Sequence, residues 1–237
     1  MTEHSHSRPG RTVEDATADW RLLFGIAGVA TLAGLALMPV QVVIFIAWPP
    51  PVTVTGFFEV LQGNALRGLL NLDLLYIVSN ILLFPLYLAL YVALRHANRS
   101  LMTLALALGF VGLAAYFSTN PSFEMLALSG HYAAATTDAA RATFLAAGEA
   151  LLASYTGTAF NVYYVLNGIA LLLMAAVMFR STIFSRLTAW MALAAGILMM
   201  VPSSAGMLGM VFAMGSLIPW ALFSVLVARR FLQMARD

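Results

Sequence analysis

The chain alternates long apolar runs with short polar breaks, and the lengths of the runs set the elements. The first, from Leu22 to Ile46 (LLFGIAGVATLAGLALMPVQVVIFI), exceeds the roughly 20 residues that carry a helix across hydrocarbon. Further runs lie at 71–94, 101–117, 160–178, 187–201 and 208–227. Together they predict an all-α polytopic bundle of six transmembrane helices. Pro39 and Pro85 fall inside the first two runs and predict a kink or loosened turn, because proline removes one helical hydrogen bond and crowds the carbonyl four residues back. Trp48 marks an interface, and Pro49, Pro50 and Pro51 stop the first helix.

The breaks are of two kinds. RHANRS at 95–100, FRSTIFSR at 179–186 and PSSAG at 202–206 are short and predict tight antiparallel returns. Residues 52–68 and 118–159 are long, too polar to span, and expected to hold short amphipathic helices at the outer surface. Phe57, Phe58, Val60, Leu61 and Leu66 supply the apolar side of the first. In the second, Asn120 and Pro121 are expected to start a helix ending at Gly130, and Thr136 or Thr137 to cap another with Asp138 in its first turn. The domain organisation is then a flexible tail over 1–20, with a short surface helix near Val13–Trp20, a six-span unit over 21–230 and a second tail over 231–237. The first twenty residues are polar and mixed in sign, so no cleavable signal is expected there.

Composition strengthens the membrane reading. Hydrophobic residues make up 62% of the 237 and charged residues 9%, whereas a soluble domain carries roughly 25% charge to cover its surface. Every basic residue apart from histidine is arginine. Counting alternate loops puts Arg8, Arg11, Arg21, Arg95, Arg99, Arg180, Arg186, Arg229, Arg230 and Arg236 on one side and only Arg67 and Arg141 on the other. Under the positive-inside bias both termini are expected in the cytoplasm and both long connections outside.

Several functions are excluded or disfavoured. Without cysteine there is no thiol catalysis, disulfide or thiolate metal site, and without lysine no Schiff base to retinal or pyridoxal phosphate. The scattered arginines build no basic face, so nucleic acid is not an expected partner. His4 and His6 lie in the polar tail, His96 in a tight return and His131 alone in a long connection, with no HExxH, no i, i+4 histidine pair and no carboxylate cluster beside them, so neither a metal nor any cofactor is expected. No GxSxG elbow is present. Met207, Met210 and Met214 share a helical face that could hold Cu(I), but thioethers at helical spacing read better as flexible packing.

Chemistry is sought where polar groups enter the bilayer, since each costs free energy there unless it faces a partner or a cavity. Asp73, Tyr76 and Asn80, three and four residues apart, form a stripe on one helical face descending about 10 Å from the outer end of the second span. Asn161, Tyr164 and Asn167 enter the fourth span from the same side, and Gln41, Ser203 and Ser204 lie at comparable depth. These residues predict either an outward-opening ligand pocket or a set of interhelical hydrogen bonds. Asp73 itself reads as an interfacial first-turn charge or as a buried acid.

The stretch NPSFEMLALSGHYAAATTDAARATFLAAGEALLASYTGTAFNVYYVLNGIALLL, followed by MFRSTIFSRLTAW, resembles a family of bacterial multi-span membrane proteins known only as a domain of unknown function. That resemblance, strongest from Asn120 to Trp190, implies a bacterial inner-membrane location and this architecture, but no activity. The favoured function is binding of a small or amphipathic ligand in the outer pocket, as a carrier in transport, a sensor or an accessory subunit. The alternatives are a membrane enzyme using Asp73, Glu149 or His131 in acid/base chemistry on a lipid-like substrate, and a structural subunit of a homo- or hetero-oligomeric complex.

Overall fold

The computed structural model describes residues 13–201 and 204–237. The expected tail over 1–12 and Ser203 lie outside them. The described chain is helical: α1 (Val13–Ala47), α2 (Val54–Gly63), α3 (Ala65–Asn71), α4 (Leu74–Ile81), α5 (Leu83–Leu94), α6 (Arg99–Thr119), α7 (Ser122–Ala134), α8 (Asp138–Ser154), α9 (Phe160–Met178), α10 (Arg186–Leu198) and α11 (Gly206–Met234). Polar side chains set several starts by accepting a free amide of the first turn: Thr53 for α2, Asn64 for α3, Asn98 for α6, Thr137 for α8 and Ser185 for α10.

Five helical stretches are long and apolar enough to cross a membrane: Trp20–Ala47, Leu74–Leu94, Arg99–Ala134, Asp138–Met178 and Gly206–Met234. α10, with 13 residues, is shorter than the hydrocarbon layer at 1.5 Å per residue. Large apolar side chains stay exposed on the outer faces of the long helices, Leu22, Val29, Val43 and Ile46 on α1 and Val211, Ile218 and Leu222 on α11. Such a surface suits lipid and not water, and the chain is a multi-pass membrane protein.

The long helices close a ring. α1 packs on α4, α5 and α11, α11 on α10, α10 on α9, α9 on α6, and α6 on α5. The ring closes antiparallel at the chain ends, where Phe24 meets Phe231 at 5.6 Å and the Arg21 guanidinium donates to the Asp237 backbone oxygen. The same end holds the Arg95 guanidinium over the Trp20 ring, and Arg230 donating to the Ile183 carbonyl. At the opposite end α2, α3, α7 and α8 pack into a cap with its own core of Val54, Phe58, Leu61, Leu72 and Met125. The apolar side of α2 is therefore largely covered by protein, although Leu66 stays exposed.

Several elements differ in detail from the periodicity. α1 runs unbroken through Pro39, whereas the second apolar run is interrupted twice. It breaks at Leu82 because Pro85 has no N–H for the Ile81 carbonyl, and the proline instead occupies the first turn of α5, where none is required. It also breaks at Leu72–Asp73, ahead of α4. There the Leu72 carbonyl turns away from helical pairing to accept from Ser122 Oγ (2.6 Å) and Asn120 Nδ2 (3.2 Å). α7 runs four residues past Gly130, α11 continues to Met234, and the region near Val13–Trp20 is the start of α1 rather than a separate helix.

Close approach between α6 and its neighbours depends on two glycines. A Cβ at Gly109 would lie 2.7 Å from Tyr87 Cε2, and one at Gly112 would collide with the Asn167 amide. In the space those glycines leave, the Tyr87 hydroxyl donates to Asn167 Oδ1 (2.5 Å) and Asn167 Nδ2 donates to the Tyr163 carbonyl (2.9 Å).

Candidate functional site

Where the cap meets the ring, a cavity of about 740 Å³ opens. That is the size range of small-molecule sites. Its walls come from Met38, Gln41 and Val42 of α1, Phe57 of α2, Leu152 and Ala153 of α8, and Met210, Met214 and Leu217 of α11. The polar side is made by Asn71, Asp73, Tyr76, Tyr155, Thr156 and Tyr164. A second cavity of about 70 Å³, room for roughly two waters, lies deeper between the ring helices. Met38, Tyr76, Tyr164 and Leu217 stand in the walls of both, so the polar stripe passes from one to the other.

Asp73 is the focus of the larger cavity. It is 5% exposed and has φ 66° and ψ 32°, a left-handed conformation uncommon outside glycine and tolerated best by Asp and Asn. Strain of this kind persists only where surrounding contacts hold it, and it concentrates at functional sites. The contacts are the two donors on the Leu72 carbonyl and the Tyr155 hydroxyl, which donates to the Asp73 carboxylate. Tyr155 opens a π-helical turn, Tyr155–Ala159, that joins α8 directly to α9. A single wide turn shifts the register of the helix between cap and bundle and aims Tyr155 back at Asp73. Asp73 thus combines both readings open in the sequence: it stands at the start of a helix, α4, and it is buried.

The aromatic surroundings are dense. Tyr76 lies edge-on to Tyr116 (5.3 Å) and Tyr163 (5.9 Å), and Phe160 packs on Tyr155 (5.2 Å). Two buried amides on the wall are only half satisfied. Gln41 Nε2 donates to the Leu70 carbonyl and Asn71 Nδ2 to the Pro49 carbonyl, at 3.4 and 3.5 Å, and neither Gln41 Oε1 nor Asn71 Oδ1 has a donor.

The six residues singled out from the sequence separate into three groups. Asp73, Tyr76 and Tyr164 line the larger cavity. Asn80 and Asn167 are too deep for it and line the smaller one, with Tyr76 and Tyr164. Asn80 Nδ2 is buried and unpartnered, whereas Asn167 is already engaged by Tyr87 and Tyr163. Asn161 borders neither cavity; its amide donates to the Gly157 carbonyl and accepts from the Ser204 hydroxyl, tying α9 to the segment before α11. His131 stacks on Phe144 at 5.5 Å in the cap, and both His131 and Glu149 are exposed and outside the cavity walls. Met210 and Met214 are more than half exposed and form part of the cavity wall. Tyr155 was not singled out from the sequence, because nothing in YTGTA signals a π turn. Among the described residues no group of three or more His, Cys, Asp or Glu is placed to hold a metal ion.

No family model, curated protein or solved structure matches this chain. The family suggested by Asn120–Trp190 is therefore not assigned, and the functional reading rests on the geometry of the site.

Proposed function

We propose that the protein binds a small amphipathic ligand in the cavity between cap and ring, as a carrier, sensor or accessory subunit. The observation that carries this reading is the cavity itself: apolar over most of its wall, with one polar corner built around a strained, buried acid. A structural subunit would have no use for that volume, and hydrocarbon walls with few oriented polar groups are the usual composition of a ligand site. Asp73, Tyr76 and Tyr164 meet the ligand directly. Asn80 and Asn167 shape the deeper pocket beneath it, and Asn161 steadies the outer end of α9.

In this reading α10 completes six crossings. The start of α1 and the end of α11 meet at one end of the ring, which supports an even number of passes, whereas the five long stretches among the described residues supply an odd one. The arginine-rich end, where α1 starts and α11 finishes, faces the cytoplasm of a bacterial inner membrane, and the cap faces outward. Because the chain has no cysteine, this is open to single-cysteine labelling with an impermeant maleimide on intact cells. Thr136→Cys in the cap is expected to label directly and Thr182→Cys only after permeabilisation; the opposite pattern would invert the topology.

Ligand binding is tested by mass spectrometry of small molecules retained through gentle purification, compared with Ala153→Trp. That substitution places an indole at a cavity-wall position on exposed α8 surface. One compound enriched over bulk lipid and lost in the variant is expected. Bulk lipid alone, unchanged by the substitution, would refute the pocket.

A further inference from the structure

Building on the ligand-binding reading above, we infer that the cavity selects a single-chain amphiphile whose head is a protonated amine. Asp73 is the only residue among those lining the cavity that carries a formal charge, and no arginine, lysine or histidine stands with it. The neighbouring amides reinforce that polarity. Gln41 and Asn71 both spend their N–H groups on backbone carbonyls, so what they leave unpartnered is oxygen. Both oxygens are buried in the wall, where their dipoles add negative potential behind the acid. The head group that fits a lone carboxylate with no basic residue among the cavity's lining is an ammonium, which carries several N–H donors and a positive charge.

The rest of the wall agrees. Tyr76, Tyr155, Phe160 and Tyr164 place aromatic rings around the acid, and the negative face of such rings attracts a cation. Beyond them Met38, Val42, Met210, Met214 and Leu217 offer an apolar, deformable surface for an alkyl chain. Tyr155 donates to Asp73 as an ammonium would and therefore holds the carboxylate in place for the ligand. A sulfate, phosphate or carboxylate head would instead meet Asp73 with like charge and find only tyrosine and threonine hydroxyls to offset it. The same repulsion disfavours a zwitterionic lipid head, which brings a phosphate with its amine.

The test is saturation binding of radiolabelled dodecylamine, dodecanol and dodecyl sulfate to the full-length protein in nanodiscs, with empty nanodiscs of the same lipid subtracted for partitioning. Dodecylamine is expected to bind at least about tenfold tighter than dodecanol, and dodecyl sulfate more weakly than either. Asp73→Asn, which keeps shape and tolerates the left-handed backbone, is expected to bring dodecylamine to the level of dodecanol. Equal saturable binding of all three compounds would overturn the amine assignment while leaving the pocket. Absence of saturable binding for any of them would overturn the pocket as well. A preference that survives in Asp73→Asn would also overturn recognition by the carboxylate. The ordering in the unaltered protein stands as a test even if a variant fails to fold.

Discussion

Phe58→Ala is expected to unfasten the cap while the ring stays intact. Phe58 is 1% exposed, packs on Tyr132 at 5.4 Å and shares the cap core with Val54, Leu61 and Met125. Emptying a buried phenylalanine site costs about 3–5 kcal/mol, a large fraction of what so small a cluster can supply. The loss falls on the cap alone, because its core is separate from that of the ring. Hydrogen exchange should therefore accelerate through α2, α7 and α8 and stay slow in α5, α6 and α9. Retention of the cavity's ligand should fall with it, since Phe57 on α2 and Leu152 on α8 are wall residues. Exchange in α2 and α7 unchanged from the parent protein would mean the cap is held by something other than this cluster.

The second large effect is expected inside the ring. Gly112→Ala places a methyl group against the Asn167 amide, and that amide cannot swing aside without breaking its bonds with Tyr87 and Tyr163. Overpacking costs about 1–3 kcal/mol, and leaving a buried amide and hydroxyl unpaired adds about 1–3 kcal/mol. Thermal stability in detergent, followed by the surviving monodisperse fraction, should fall well below that of the parent. Pairing the substitution with Asn167→Ala removes the obstructing group, so the double variant should be more stable than Gly112→Ala alone. No such rescue would show that Gly112 is not sensed through Asn167.

The polar stripe shows how far helical periodicity reaches. Spacing placed Asp73, Tyr76 and Asn80 on one face, and the structure has them lining two neighbouring cavities that share wall residues, despite the break before α4. The same reasoning grouped Asn161 and Asn167 with them, and there it reached its limit. Both are asparagines in the cap-side half of α9, but one is held by Ser204 and the other by Tyr87, 43 and 80 positions away in sequence. Methionine spacing on α11 was legible, while the space in front of Met210 and Met214 was not, because it belongs to the gap between cap and ring.

The sequence by itself determined the membrane class, the positions of the apolar runs, the asymmetry of the arginines and the Thr137 cap of α8. Each follows from local composition or from neighbours within a turn or two. Only the tertiary structure decided that the ring closes α1 on α11, that the second run breaks at Leu72–Asp73, and that Asp73 is matched with Tyr155. That match spans 82 positions and depends on a π turn shifting one helix and on Ser122 and Asn120 holding a carbonyl of another. Such features arise where elements meet, and a helix-period pattern carries information about one element's faces but none about which face of another will lie opposite.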